Sequence, residues 1–365
     1  MKYYKLGDLC TDVIDCPHST PEWKNEGIRV IRNFNLKNGN LDFTDGYFVD
    51  EETYHDRIRR AIPEEGDIII SREAPMGVVA IVPKGLKCCL GQRLVLLKVN
   101  KKKVNPIYLL FILMSEFAQT QFRRADATGS IVSNLCIPDL RDIIIPVIDE
   151  GQENVAELLN NINEKILLNK HINDNLVQQA QLLFDFMFQD ISGSKHIGDF
   201  IVPQRGAALL SKDAIPGDVP VVAGGLEPAT YHNAANTAAP VITISSSGAN
   251  AGFVNLWGVP VWSSDSSFID FKMTPYVYFW YALLKRHQNN IYKIQTGSAQ
   301  PHIYPSHIAS LPVCDLNFEK VADYTGQVTP LFSLIAKNYK EIKQLRALRD
   351  WLLPMLINGQ ATISN

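Results

Sequence analysis

The sequence predicts an α+β protein in which two mixed α/β domains are separated and joined by two long antiparallel coiled-coil helices, as a pseudo-twofold repeat. Three observations predict this fold. The chain has 365 residues, more than one ordinary core takes. Landmarks recur in the same order in both halves, and two long segments have coiled-coil periodicity. The expected division is domain 1 over residues 1–150, a central helix over 151–191, domain 2 over 192–316 and a C-terminal helix over 317–365.

Five landmarks occur twice and in the same order, which indicates an internal duplication. They are a Gly-Asp opening, a β-rich segment with a polar turn, a proline-initiated apolar segment, a Thr-Gly-Ser sequence before an aliphatic strand, and a long helix. Their positions are Gly7-Asp8 and Gly198-Asp199, 67–79 and 241–254, Asn105-Pro106 and Thr274-Pro275, Thr128-Gly129-Ser130 and Thr296-Gly297-Ser298, and about 152–189 and 318–357. Because the segments between them share little, the framework is repeated while the surface differs.

Within each domain, β-rich runs among Gly, Pro and Asn turns predict strands. In domain 1 these runs are Ile28–Ile31, Asp67–Ser71, Val78–Val82, Leu94–Val99 and Ile143–Val147. Asn105 and Thr274 each precede a proline, which predicts an N-cap followed by proline at the first helical position. The run Asn105-Pro106-Ile107-Tyr108 also resembles the Asn-Pro-Pro-Tyr signature of amino-methyltransferases. Its second proline is absent, so a helix start is the favoured interpretation.

The two long helices are predicted to pair along residues spaced three and four apart. The first seam contains Leu159, Ile162, Ile166, Asn169, Asn173, Leu176, Ala180, Leu183 and Met187, and the second contains Val328, Leu331, Ile335, Asn338, Ile342, Leu345 and Leu352, with Arg349 as an interruption. Asparagines in both seams can set the register at a cost in stability. Residues 151–194 hold two basic and six acidic groups and 317–365 hold six and four, which favours pairing, within one chain or between two. Alternatively, each helix packs only on its own domain.

Composition limits the possible functions. A net charge of −3 gives no support to nucleic-acid binding, so such a function must depend on local clusters. No apolar run approaches the ~20 residues of a membrane span, and the first residues lack a signal-peptide core, so we expect a cytoplasmic protein. Six cysteines without a Cys-x-x-Cys pair predict reduced thiols. With no phosphate loop and no glycine-rich cofactor turn, we expect no catalytic residue, no metal and no cofactor in this chain.

Basic, amide and hydroxyl side chains near turns remain as candidates for DNA contacts. Arginine can bind guanine, asparagine and glutamine can bind adenine, and lysine mainly neutralises phosphate. The candidates of domain 1 are His18, Thr20, Trp23, Lys24, Arg32, Asn33, Asn35, Arg72, Arg93, Ser130 and Asn134, and Arg57, Arg59 and Arg60 form a further basic cluster. Domain 2 offers more neutral groups, Ser246, Ser247, Asn250, Ser298, Gln300 and His302. For each, the alternative is an ordinary solvated surface group.

This architecture resembles the specificity subunit of type I restriction–modification systems over essentially the whole chain. The residues that carry the resemblance are Gly7-Asp8 and Gly198-Asp199, Ile68–Arg72 and Ile242–Ser245, the two Thr-Gly-Ser sequences, and the passages from Pro146 to Gln152 and from Pro312 to Phe318. Helix entries in that family often read Pro-Pro-Leu-x-x-Gln. Here the first copy keeps one proline and the glutamine, and Phe318 replaces the glutamine in the second.

The resemblance implies a non-catalytic DNA-recognition subunit. Each target-recognition domain would read one half of a bipartite site in double-stranded DNA, and the paired helices would fix the spacer between the halves. Two modification subunits, which bind S-adenosylmethionine and methylate adenine, would dock along the helices. A restriction subunit, a motor and nuclease, would complete the complex, and no membrane would be involved.

Three alternatives stay open from the sequence. One is a specificity subunit of another restriction class. A second is a methyltransferase or nuclease that carries its own recognition domains, which binding of S-adenosylmethionine by the purified chain would reveal. The third is a coiled-coil interaction protein without a DNA function, which would enrich no bipartite site from random duplexes.

Overall fold

The computed structural model describes residues 1–73, 75–126, 134–189, 193–297, 300–357, 360–361 and 363. The chain divides into two compact units. Unit 1 consists of Met1–Ile166 and Gln344–Asn365, and unit 2 consists of Leu167–Lys343. The predicted boundaries separate domains from helices, whereas the compact units divide each long helix, because each stretch of helix packs on the core of one domain.

Unit 1 is built on a four-stranded antiparallel sheet. Its strands are β1 (Lys2–Lys5), β2 (Cys10–Asp15), β3 (Ile28–Ile31), β4 (Leu36–Lys37), β5 (Asn40–Leu41), β6 (Tyr47–Val49), β7 (Ile68–Ser71), β8 (Val79–Ile81), β9 (Cys88–Leu90), β10 (Leu94–Val99) and β11 (Ile144–Val147). Its helices are α1 (Leu6–Leu9), α2 (Glu51–Arg57), α3 (Pro106–Met114), α4 (Glu116–Asp126), α5 (Ile137–Asp142) and the first part of α6 (Gln152–Met187). The main sheet has the order β2-β10-β7-β8, beside a sheet β6-β3-β9 and the pairs β1-β11 and β4-β5.

Unit 2 repeats this plan. Its strands are β12 (Lys195–His196), β13 (Gln204–Arg205), β14 (Val219–Val222), β15 (Thr230–His232), β16 (Val241–Ser245), β17 (Val254–Trp257), β18 (Trp262–Ser263), β19 (Ser266–Asp270) and β20 (Pro312–Val313). Its helices are the second part of α6, α7 (Val277–Arg286), α8 (Gln288–Lys293), α9 (Pro305–Ala309) and most of α10 (Phe318–Ile357), whose end belongs to unit 1.

Strand order and direction recur between the units, which confirms the predicted duplication. The main sheet β13-β19-β16-β17 matches β2-β10-β7-β8, and the pair β12-β20 matches β1-β11. In the smaller sheets, β14 lies between an antiparallel and a parallel neighbour, as β3 does in unit 1. The five strands predicted in domain 1 are all present, with bounds that differ by at most one residue at either end.

The main sheet of unit 1 is buried on both faces. Side chains of a strand alternate between faces, and here Ile68 and Ile70 join one apolar cluster with α3 while Ile69 joins another with β9. All three are fully buried. This explains why β7 reads as a continuous aliphatic run instead of an alternating one.

The two predicted helix starts have different outcomes. Asn105 caps α3, and its side-chain oxygen accepts hydrogen bonds from the backbone of Ile107 and Tyr108 at 2.9 and 3.1 Å. The segment is therefore a helix start. The ring of Tyr108 is buried, so it does not face a substrate. The second prediction was wrong in position: α7 begins at Val277, and the hydroxyl of Thr274 accepts from the backbone of Tyr276 instead, in the turn before the helix.

The long helices pair in antiparallel fashion in unit 2. As the residue numbers of the contacts increase along α10, those of their partners on α6 decrease, so the two helices run antiparallel. Tyr324 donates to the carbonyl of Ala180 at 3.1 Å, and Asn338 Nδ2 donates to Asn173 Oδ1 at 2.8 Å. Further along, Asn169 Nδ2 donates to Glu341 Oε2 at 2.9 Å. The pairing therefore occurs within this chain, and it includes the amide pair expected from the two seams.

In unit 1 the pairing continues with a polar contact. Arg349, which breaks the apolar rhythm of α10, is mostly buried, and its Nη1 donates to Asn163 Oδ1 at 3.4 Å. Asn163 is itself buried, although its position lies outside the predicted seam. Since a buried amide supplies the acceptor, the interruption by Arg349 is matched on the partner helix.

Most seam positions are buried, but five lie at the rim. Leu159, Ile162, Ile166, Asn169, Asn173, Leu176, Ile335, Asn338 and Ile342 are buried. Leu183, Met187, Leu331, Leu345 and Leu352 are only partly buried. Near the end of α6 the buried face is formed by Ala180, Phe184 and Phe188, four apart, because these side chains enter an aromatic cluster of domain 2. A helix that packs on a domain needs a wider apolar face than a two-helix seam.

Four of the six cysteines are buried, and all six are free thiols. Burial raises the pKa of Cys88 to about 12 and that of Cys89 to about 11. Among the residues that the structure describes, no group of three or more His, Cys, Asp or Glu side chains is placed to hold a metal ion. Within the same residues, no helix is both long and apolar enough to cross a membrane.

Replacing Asn338 by leucine should lower the free energy of unfolding by roughly 1–3 kcal/mol, because Asn173 keeps a buried amide without its partner. The double variant Asn173→Leu, Asn338→Leu should regain at least all of this loss, because no buried amide remains. Denaturant unfolding of the unchanged chain, Asn173→Leu, Asn338→Leu and the double variant measures the coupling in a double-mutant cycle. Asn175→Leu on the exposed side of α6 is the control and should change stability by at most ~0.5 kcal/mol. Strictly additive losses would contradict the amide pairing.

Candidate nucleic-acid interface

The turn-rich segment 16–24 of unit 1 is held against the sheet from two sides. His18 Nε2 lies 3.0 Å from Asp15 Oδ2. The side-chain amide of Gln92 donates to the carbonyl of His18 and, at 3.1 Å, to Thr20 Oγ1. These contacts therefore restrict the positions of the His18 ring and the Thr20 hydroxyl on the surface.

Arg57 is the main fixture of this segment. It is buried, and its guanidinium donates to three carbonyls, those of Leu90 at 2.8 and 2.9 Å, Ser19 at 3.0 Å and Pro17 at 3.4 Å. Burial lowers the pKa of its guanidinium. The expected basic surface cluster is thus limited to Arg59 and Arg60, since Arg57 points inward and satisfies backbone acceptors.

Arg32 lies among aromatic rings. Its guanidinium carbon is 4.6 Å from the ring centre of Tyr47, 5.4 Å from that of Trp23 and 5.5 Å from that of Phe34. Cation–π attraction restricts such a side chain while leaving its N–H groups available. Lys24 is engaged otherwise, with Glu22 Oε1 at 2.9 Å and Asp50 Oδ2 at 3.7 Å.

The two asparagines after Arg32 serve the fold. Asn35 is buried; its Oδ1 accepts from the backbone of Arg32 at 2.9 Å, and its Nδ2 donates to the carbonyls of Asp42 and Asp45 at 2.8 and 3.1 Å. A DNA contact by Asn35 would have to break this network. Asn33 donates to the carbonyl of Glu73, and its Oδ1 is buried without a partner in the described part of the chain.

Two arginines lie where β7 and β10 meet. Arg72 is tied down: Nη1 donates to Asp15 Oδ1 at 2.8 Å, Nε donates to the carbonyl of Leu135 at 3.0 Å, and only 12% of its side chain is exposed. Arg93 is 58% exposed, and its Nε lies 3.2 Å from Glu73 Oε2. Asn134 is also exposed. Ser130, with its Thr-Gly-Ser sequence, lies outside the described residues.

The candidates of unit 2 form a second polar surface. Ser246 is buried, and Ser247 donates to Asp265 Oδ2. The backbone of His302 bridges both Ser247 and Thr296, and its ring stacks on Tyr304. Asn250 Nδ2 donates to the carbonyl of Gly224 at 3.4 Å, and Gln300 is exposed. Ser298 lies outside the described residues.

Comparison with known proteins finds a family model that matches the first part of the chain. Residues 1–178 match the family model of the type I restriction modification DNA specificity domain. A putative type I specificity subunit of Mycoplasma pneumoniae is 22% identical to this chain over 252 residues, which are 63% of this chain and 67% of that protein. The chain is therefore similar to type I specificity subunits, and residues 1–178 carry the match to the family model.

A solved structure supports the fold of this chain. The crystal structure of the S subunit of a type I restriction-modification system from M. genitalium aligns with 96% of this chain and with 94% of its own chain. The TM-score is 0.57 and the sequence identity is 18%. The predicted fold, two mixed α/β domains joined by two long helices, is confirmed by this match.

Several residues of these two polar surfaces were not predicted from the sequence. They are the carboxylates Asp15, Glu73 and Asp265, which pair with Arg72, Arg93 and Arg205. Arg205 Nη2 lies 3.2 Å from Asp265 Oδ1. A basic-residue search passes over carboxylates. Aligning the two copies of the repeat at Ser71 and Ser245 would have indicated part of this set, because Glu73 and Ser247 then occupy equivalent positions.

Arg57→Gln should speed amide hydrogen exchange over residues 16–20, because the carbonyls of Pro17 and Ser19 lose their donor. Hydrogen–deuterium exchange with mass spectrometry measures this. Arg60→Gln is the matched control, since Arg60 is exposed and makes one 3.2 Å bond to the carbonyl of Asp15. An even rise in exchange over the whole of unit 1 would indicate general destabilisation and argue against a specific hold on the segment.

Proposed function

We propose that the chain is the DNA-recognition subunit of a type I restriction–modification complex, and that each domain reads one half of a bipartite site in double-stranded DNA. The observation that carries this proposal is a repeated strand framework with different polar side chains at equivalent places. Unit 1 presents arginines and an Arg32–aromatic cluster, whereas unit 2 presents serines, amides and His302. Equal frameworks with unequal surfaces suit two readers of two different half-sites.

Joining two half-site readers in one chain has a direct thermodynamic effect. Once one domain is bound, the second meets its half-site at a high effective concentration, and affinity multiplies when the spacing of the DNA matches. Each domain then needs only modest affinity. The net charge of −3 fits this scheme, because recognition by local hydrogen bonds does not require a strongly basic chain.

The helices have two roles in the proposal. They set the spacer between the half-sites, and they dock two modification subunits that bind S-adenosylmethionine and methylate adenine. Large apolar side chains exposed on α6, Leu168, Leu182 and Phe186, are suited to a protein partner. A restriction subunit, a motor and nuclease, completes the complex. In this assignment the chain itself is non-catalytic and has no cofactor.

Mapping of methylated adenines across the genome, in cells with and without this gene, tests the function. We expect one bipartite motif to lose methylation when the gene is absent and to regain it on complementation. An unchanged methylation pattern would contradict the assignment. Binding of S-adenosylmethionine by the purified chain alone would favour a methyltransferase with its own recognition domains, and we expect no binding.

Inserting one heptad into α6 after Ile166 and one into α10 after Lys343 should lengthen the spacer without changing the half-sites. A heptad adds about 10 Å of helix, which corresponds to about three base pairs at ~3.4 Å each. Methylation-site sequencing with the lengthened chain measures the spacer. A heptad in α6 alone is the control and should abolish methylation, because the seams lose register. An unchanged spacer in the double insertion would refute the ruler role.

A further inference from the structure

In the main sheet of each unit, the end of one central strand lies beside the start of the other, and we call this place a corner. The corners of the two units are equivalent. In unit 1, β10 pairs with β7 so that Leu94 lies opposite Ser71. In unit 2, β19 pairs with β16 so that Ser266 lies opposite Ser245. The residues that leave β7 and enter β10 are therefore equivalent to those that leave β16 and enter β19.

Each corner has four positions, one of them contributed by the outer strand. Asp15 on β2 lies opposite Val95, and Arg205 on β13 lies opposite Ser267, so these two residues are equivalent. The corner residues are Asp15, Arg72, Glu73 and Arg93 in unit 1 and, in the same order, Arg205, Ser246, Ser247 and Asp265 in unit 2. The same backbone hydrogen bond closes both corners, from Arg72 to Arg93 at 2.8 Å and from Ser246 to Asp265 at 3.1 Å.

In unit 1 the corner separates a fixed arginine from an available one. Arg72 is 12% exposed and bound to Asp15. Arg93 is 58% exposed, and its Nε lies 3.2 Å from Glu73 Oε2. Arg93 also has a φ of 65°, an unusual value for a residue with a side chain, which the surrounding contacts must maintain.

In unit 2 the charges are redistributed over the same positions. The carboxylate is now Asp265, at the place of Arg93. It accepts from Ser247 through Oδ2, and its Oδ1 lies 3.2 Å from Nη2 of Arg205, which is 46% exposed. Ser246 replaces Arg72 and is 1% exposed, with no hydrogen-bond partner for its hydroxyl among the described residues. Each corner thus keeps one exposed arginine held by one carboxylate, but from a different strand.

From this geometry we infer that Arg93 and Arg205 each read a guanine, one in each half of the bipartite site, and that Glu73 and Asp265 position them. The inference rests on the proposed function and names the base and the residues for it. Arginine binds O6 and N7 of guanine through a planar pair of N–H groups. A carboxylate at one edge of the guanidinium restricts its rotation and leaves other N–H groups for the base.

Charge explains why the corners suit a base and not the phosphate backbone. Contacts to phosphate depend on net positive charge and on release of counterions. An arginine paired with a carboxylate is close to neutral as a unit, so its attraction for phosphate is weak. Its hydrogen-bond donors remain directional, and the edge of guanine in the major groove offers two acceptors without net charge. The different strand origin of the two arginines would place the guanine differently in each half-site.

The test uses the complete chain in complex with its modification subunits. The complex is incubated with a pool of random DNA duplexes, and the bound duplexes are sequenced for the unchanged chain, Arg93→Lys and Arg205→Lys. Lysine keeps the charge but loses the planar pair of donors. We expect Arg93→Lys to lose the preference for one guanine in one half-site, on the order of tenfold, and Arg205→Lys to do so in the other half-site. Thermal unfolding checks whether both variants are folded.

Arg141→Lys is the matched control, because Arg141 is 48% exposed in unit 1 and its Nη2 lies 3.4 Å from Asp12 Oδ1 instead of contacting a corner residue. It should leave every base preference unchanged. A uniform loss of binding to all sequences with Arg93→Lys or Arg205→Lys, or an unaltered base preference, would overturn the inference. If the unchanged chain enriches no bipartite site at all, the proposed function fails, and the inference fails with it.

A second variant distinguishes positioning from simple support of the fold. Glu73→Gln should reduce preference for the same guanine as Arg93→Lys and should also steepen the dependence of overall binding on salt, by a slope of about one, because an uncompensated Arg93 attracts phosphate. Glu116→Gln is the control, since it changes net charge equally at an exposed pair with Arg123. A salt slope equal for both variants would overturn the positioning role of Glu73.

Discussion

The antiparallel pairing of β10 with β7, and its repeat as β19 with β16, is the contact on which each domain depends. These central strands are buried on both faces, so their register places one set of side chains in each of two apolar clusters. A slip by one residue would exchange the faces and expose aliphatic side chains. The same register determines which residues leave the sheet together, and therefore where Arg72 and Arg93 lie.

Core and surface are consequently linked through the backbone. Ser71 ends a fully buried strand, and the next residue begins a polar corner. The core tolerates little change at this point, whereas the side chains one residue beyond it face solvent or one another. This division explains how a duplicated domain can keep its strand order in both copies while the charges at Asp15 and Arg205, or Arg93 and Asp265, are reversed.

The long helices follow a different principle. Their pairing includes several buried amides, Asn163, Asn169, Asn173 and Asn338, where aliphatic side chains would give more stability. Each amide or arginine contact is satisfied in one register only, as with Asn338 and Asn173 or Arg349 and Asn163. A helix pair that must hold one register is served by such contacts even though they cost stability.

Local chemistry made much of the fold predictable from the sequence. The N-cap at Asn105 needs only its own turn, and the strands and the long helices are marked by runs and periodicity that do not depend on distant residues. Predictions failed where a distant contact decides. Thr274 precedes a proline as Asn105 does, yet α7 begins later, and Leu183 yields the buried position to Phe184 because the aromatic cluster of domain 2 lies there.

The sequence by itself determined that the chain is duplicated, that two long helices pair, and which family it resembles, because these features are written as repeats and periodicities along the chain. Only the tertiary structure decided which polar residues are available. Arg57 and Asn35 donate hydrogen bonds to backbone carbonyls, and Arg72 donates to Asp15. Arg93, in contrast, remains exposed beside Glu73. The physical reason is that the hydrogen-bonding groups of a side chain are occupied by partners distant in sequence. Only the fold brings those partners within hydrogen-bonding distance.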